Sequence, residues 1–83
     1  MKFESTVNLN TIDKVKAFCA VTTTFDGDVT LHSGKYVIDG KSIMGIFSLD
    51  LSKPIDIIVT TDNPNSFNTF MPELTKFLNE NNN

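Results

Sequence analysis

The side chains able to do chemistry in this 83-residue chain are few and far apart. There is one histidine, His32, and one cysteine, Cys19. A lone imidazole with no cysteine or carboxylate cluster around it makes a poor metal site. Cys19 recurs with the apolar face of its segment and reads as a core residue. The Asp26 and Asp28 pair, the Asp62 and Asn63 pair and the Asn81-Asn82-Asn83 run fall in turns or at an end. Such residues serve local hydrogen bonds there, so no site is assigned to them. No catalytic constellation emerges. The expectation is a protein that is not an enzyme and has neither metal nor cofactor.

The bulk numbers narrow the class. Hydrophobic residues make up 40% of the chain and seven residues are phenylalanine. That is enough for one core and argues against disorder. The length fits one domain over residues 1–83, with Glu80–Asn83 frayed. The net charge is −3 and the seven basic residues form no run or stripe. Nucleic acid is therefore not an expected partner. No apolar run reaches the roughly 20 residues that cross a bilayer, and no charged segment leads into an apolar one at the start. The expected location is cytoplasmic, away from membranes, with the single cysteine in a reducing compartment.

The elements that position these residues follow from hydrophobic period. Residues 2–8 alternate, with Phe3, Ser5, Val7 and Leu9 on one side, and read as a strand. Ile12, Val15, Phe18, Cys19 and Val21 or Thr22 recur at helical steps. Asn10 or Thr11 serves as N-cap, and Asp13 suits the positive end of the dipole. Thr22-Thr23-Thr24 disfavours further helix, and Phe25-Asp26-Gly27 turns the chain.

Val29 and Leu31 mark a second strand over 28–33, which places His32 on the opposite face. A turn at Ser33-Gly34 leads to a short strand over 35–39. Residues 42–49 fit a short helix, with Ile46 and Leu49 on one side and Ile43, Met44 and Phe47 on another. The Ile55–Thr60 run suits a central strand. Asn63 and Pro64 open a last helical segment carrying Phe67, Phe70, Met71, Leu74, Phe77 and Leu78. Pro72 either kinks that helix or delays its regular part to Thr69 or Phe70. The order β-α-β-β-α-β-α predicts an α+β open-faced sandwich. In it a four-stranded antiparallel sheet is covered on one face by two longer helices and one short one.

The segment Gly40-Lys41-Ser42-Ile43-Met44-Gly45-Ile46-Phe47-Ser48-Leu49 is more specific. With Asp26-Gly27-Asp28-Val29 and Ser33-Gly34-Lys35 at matching spacing, it resembles the HPr family, the phosphocarriers of the phosphoenolpyruvate:sugar phosphotransferase system. The resemblance spans about residues 2–79. It implies that Ser42 is the target of a regulatory serine kinase. A phosphate there would meet free helix amides and the positive end of a dipole, with Lys41 adding charge. An ordinary N-cap role for Ser42 has the same geometry. The resemblance also makes Ile43, Met44 and Phe47 a docking patch for partner proteins. Those are phosphotransferase enzymes, an HPr kinase-like serine kinase or a transcriptional regulator. Core packing is the alternative for these three.

One departure matters. The family carries phosphate on a histidine at the start of the first helix, followed by arginine and proline. Counting back from Asp26, these positions fall on Thr11, Asp13 and Lys14. Imidazole is partly neutral near pH 7 and can accept a phosphoryl group, whereas an unactivated threonine hydroxyl cannot. Asp13 would repel the phosphate, and Lys14 and Lys16 only partly offset it. The expectation is an HPr-like regulatory or binding module without a histidine relay. It resembles paralogues that lack the histidine, though those keep the arginine. The alternatives are a phosphocarrier with an atypical acceptor, or an interaction domain without phosphorylation.

Overall fold

The computed structural model describes residues 1–79. The expected fraying at Glu80–Asn83 lies outside the described residues. The strands are β1 (Lys2–Val7), β2 (Asp28–Ser33), β3 (Tyr36–Asp39) and β4 (Ile55–Thr60). The helices are α1 (Ile12–Thr22), α2 (Ile43–Phe47) and α3 (Pro64–Leu74), followed by a single 3-10 turn, Thr75–Phe77. The sheet order is β1-β4-β2-β3, antiparallel throughout. This is the expected open-faced α+β sandwich.

The register sorts the sheet residues onto two faces. Val29, Leu31, Ile55, Ile57, Val59 and Val7 are buried against the helices. On the open face, Thr6, Asp56, His32 and Val37 form one row across the four strands. The period-2 reading of β2 is thus the reading that the packing enforces, and β4, read only as a dense Ile/Val run, alternates as well, with Ile55, Ile57 and Val59 buried. The expected central place of the Ile/Val run holds, since β4 is hydrogen-bonded to a strand on each side.

In α1, Val15, Phe18, Cys19 and Thr22 face the core. Ile12, expected on that face, is 63% exposed. It occupies the first helical position, before the helix has turned onto the sheet, so its apolar side chain has nothing to cover. Thr11, not Asn10, is the N-cap, and its hydroxyl accepts from the Lys14 amide at 3.1 Å. The helix stops at Thr22, as the threonine run predicts. Thr22 is fully buried, and its hydroxyl donates to the Gly40 carbonyl at 2.9 Å. That bond ties the end of α1 to the loop that leads into α2.

The last segment departs from its periodic reading. The helix is regular from Pro64 with Asn63 as cap, so Pro72 does not delay it. Pro72 lies in the final turn, where only one amide donor is lost before the helix ends. The α-helix stops at Leu74, not Leu78. Leu78 instead forms a β-bridge with Val7, and the Asn79 amide donates to the Thr6 carbonyl at 2.8 Å. The apolar residues Phe77 and Leu78 kept the helical period but are held by the edge of β1.

Candidate functional site

Two helix starts carry the functional question. At the first, Thr11 has extended backbone and its hydroxyl is occupied as a cap. Lys14 turns its ammonium to the Asn10 side-chain oxygen at 3.1 Å. Asp13 is exposed in the first turn. No imidazole is near in the sequence or the topology. His32 lies on the open face of the sheet, opposite Asp56 and Val37, with Nε2 3.1 Å from the Thr30 hydroxyl. The helices pack on the other face, so His32 and Thr11 belong to opposite sides of the molecule. The structure places His32 on the face that the alternation of its strand requires.

At the second start, Ser42 caps α2. Its backbone is extended, its side chain is half-buried, and Oγ accepts from the Gly45 amide at 3.2 Å. A serine with this geometry is pinned by a preference for caps and yet keeps a face to solvent. Lys41 does not direct its charge as expected. Its ammonium donates to the Phe25 carbonyl at 2.6 Å and stands 5.9 Å from the centre of the Phe25 ring. The lysine anchors the loop before α2 to the loop after α1.

The helix itself is one and a half turns long, and its two sides differ sharply. Ile46 is fully buried and Leu49 nearly so. Met44 is 77% exposed, Phe47 39% and Ile43 36%. The core alternative for these three is thus not what the fold adopts. Sequence reasoning missed that Ile12, next to Thr11, is a fourth exposed apolar side chain on the helical side of the molecule. It missed too why Gly45 stands inside so short a helix. A Cβ there would come within 2.7 Å of the Ile38 Cγ2 methyl and 3.1 Å of Ser42 Oγ. The glycine lets α2 lie against β3 and leaves the Ser42 hydroxyl room.

No other cluster competes. The loops after α1 and β4 bring Asp26, Asp28 and Asp62 to one end of the sheet. There Asp26 accepts from the Ser66 hydroxyl at 2.8 Å, which explains it as a structural acceptor. Among the described residues no group of three histidine, cysteine or acidic side chains is placed to hold a metal. Burial pushes the Cys19 thiol up from its ordinary value, away from the thiolate that chemistry would need. Among the described residues no helix is long and apolar enough to cross a membrane.

Comparison with known proteins matches this architecture. The family model for the PTS HPr component phosphorylation site covers residues 14–80, starting just beyond Thr11 and Asp13. Curated proteins gave no match. HPr-C-His from Thermoanaerobacter tengcongensis superposes with a TM-score of 0.65 at 16% identity, covering 92% of this chain and 88% of that one. The phosphocarrier protein HPr from Bacillus anthracis str. Ames gives 0.61 at 20% identity, covering 88% of this chain and 94% of that one. These structures share the fold, and the family match takes in most of the sequence. The chain belongs to the HPr family of the sugar phosphotransferase system, a family of protein-binding carriers and not of enzymes.

Proposed function

We propose that this chain is a regulatory, protein-binding HPr module that does not relay phosphate through a histidine. In this reading Ser42 is the residue that a serine kinase modifies. Ile43, Met44 and Phe47 are the surface on which the kinase, phosphotransferase enzymes or a transcriptional regulator dock. One observation carries the reading. The capping serine, half-buried and not sealed into the core, starts the same short helix that turns three apolar side chains outward.

Phosphate on Ser42 would stay within reach of the α2 amides, which supply charge-assisted hydrogen bonds. It would also put about two negative charges beside an apolar patch. A partner that reads Ile43, Met44 and Phe47 would then distinguish the two forms. The other helix start offers no counterpart, because Thr11 has no base beside it and Asp13 opposes an anion.

Intact mass after two incubations tests this. With phosphoenolpyruvate and the first phosphotransferase enzyme, no acid-labile phosphate should appear. With ATP and the serine kinase, one acid-stable phosphate should appear, and Ser42→Ala should abolish it. An acid-labile adduct would overturn the regulatory reading and favour an atypical carrier. An unmodified protein in both reactions would reduce the chain to an interaction domain.

A further inference from the structure

Lys41 differs from every other cation of the chain. The seven basic residues are all lysines, and Lys41 alone is not exposed. Lys2, Lys53 and Lys76 pair with carboxylates, whereas among the described residues no carboxylate lies within ion-pair distance of Lys41. Its ammonium has only neutral partners, the Phe25 carbonyl at 2.6 Å and the Phe25 ring at 5.9 Å from its centre. A half-buried ammonium is stabilised best by an anion, and this one has none.

The bond holds the turn after α1. Among the described residues no other donor reaches the Phe25 carbonyl. Within that turn the Phe25 amide donates to the Thr22 carbonyl at 3.1 Å and the Thr24 amide to the Val21 carbonyl at 3.2 Å. The Phe25 ring stacks on Phe70 of α3, with centroids 4.2 Å apart. Lys41 therefore closes the turn from outside it.

Ser42 is the next residue along the chain. The Ser42 amide donates to the Asp39 carbonyl at 3.0 Å and the Lys41 amide to the Asp39 carboxylate at 2.9 Å. These bonds fix the backbone of both residues, so their side chains are what can move. Neighbouring Cα atoms are about 3.8 Å apart. A phosphate on Ser42 thus falls within reach of the flexible four-carbon stem of Lys41.

We propose that a phosphate on Ser42 takes the Lys41 ammonium away from the Phe25 carbonyl and so loosens the turn after α1. The inference rests on Ser42 being the modified residue, as in the regulatory reading above. The phosphate carries about two negative charges. Its bond to an ammonium joins two opposite charges, whereas the carbonyl offers only a dipole, so the ammonium changes partner. The Phe25 carbonyl is then left to water. The turn keeps its bonds to α1, the stack on Phe70 and the bond from Ser66 to Asp26. The state of the serine is thereby read at a second surface, which a partner can sense without touching α2.

Amide hydrogen exchange followed by NMR tests this, on the full chain with phosphoserine installed at residue 42 by chemical synthesis. The Thr24 and Phe25 amides should exchange about tenfold faster in the phosphorylated protein, the effect of losing one hydrogen bond to a charged group. The Ile57 and Val59 amides of β4 report global opening and should not change. Lys41→Gln without phosphate should speed the same two amides, and phosphoserine added to that variant should speed them no further. Unchanged exchange at Thr24 and Phe25 on phosphorylation overturns the inference. So does an equal acceleration by phosphate in the Lys41→Gln background. The first comparison uses the native sequence, so it decides the matter even where Lys41→Gln does not fold. Synthesis bypasses the kinase, so a kinase that ignores Ser42 sinks the regulatory reading alone, and flat exchange in a protein that the kinase does modify sinks this inference alone.

Discussion

The backbone of Gly45 passes so close to Ile38 that a Cβ on the glycine would stand 2.7 Å from the Ile38 Cγ2 methyl. This contact fixes how near α2 can lie to β3, and with it the direction of Ile43, Met44 and Phe47. Gly45→Ala should force the helix outward and cost about 1–3 kcal/mol, as overpacking does. Urea denaturation of Gly45→Ala, Ile38→Ala and the double variant checks it. The double variant should recover part of the loss, because alanine at 38 removes the obstructing methyl. Strict additivity of the two single effects would mean that the contact does not limit the helix.

The cap at Ser42 separates local helix stability from modification. Ser42→Ala should cost about 1 kcal/mol through loss of the bond from the Gly45 amide. Ser42→Asp keeps a capping oxygen and adds a charge suited to a helix start, so it should be close to neutral in stability. Equal melting curves for Ser42→Ala and wild type would show that the cap contributes nothing.

At the first helix the decisive term is electrostatic. Thr11→His alone should take little phosphate from the first phosphotransferase enzyme, because Asp13 keeps a negative charge in the same turn. Thr11→His with Asp13→Arg should gain an acid-labile phosphate. Intact mass over a time course distinguishes the two. Similar rates for both variants would show that Asp13 does not oppose the transfer.

Burial pushes the Cys19 thiol above its ordinary value of 9.0. A group whose folded pKa is raised stabilises the fold fully below its unfolded pKa, and that contribution fades as pH rises through the folded value. Cys19→Ala should cost about 1 kcal/mol at neutral pH. The gap between wild type and variant should narrow in alkaline solution. Urea midpoints of both proteins at neutral and alkaline pH give the comparison; a gap that widens with pH reverses the sign of the argument.

Local pattern determined much of this protein. Alternation in 28–33 placed Val29 and Leu31 inward and His32 outward, because a strand has only two faces, and the dense Ile/Val run of 55–60 marked a central strand. Capping residue types marked the helix starts at Asn10 or Thr11 and at Ser42, because orphan amides select short oxygen-bearing side chains, and the structure chose Thr11. The absence of histidine from the first helix was likewise plain from residue types. Tertiary structure alone decided the remainder. Period could not show that Ile12 has nothing to cover, or that Phe77 and Leu78 leave the helix for the edge of β1. Nor could it show that Lys41 spends its charge on Phe25, or that Gly45 is required by Ile38. Each of these depends on a neighbour distant in sequence, and a residue's own period carries no information about what the fold brings opposite it.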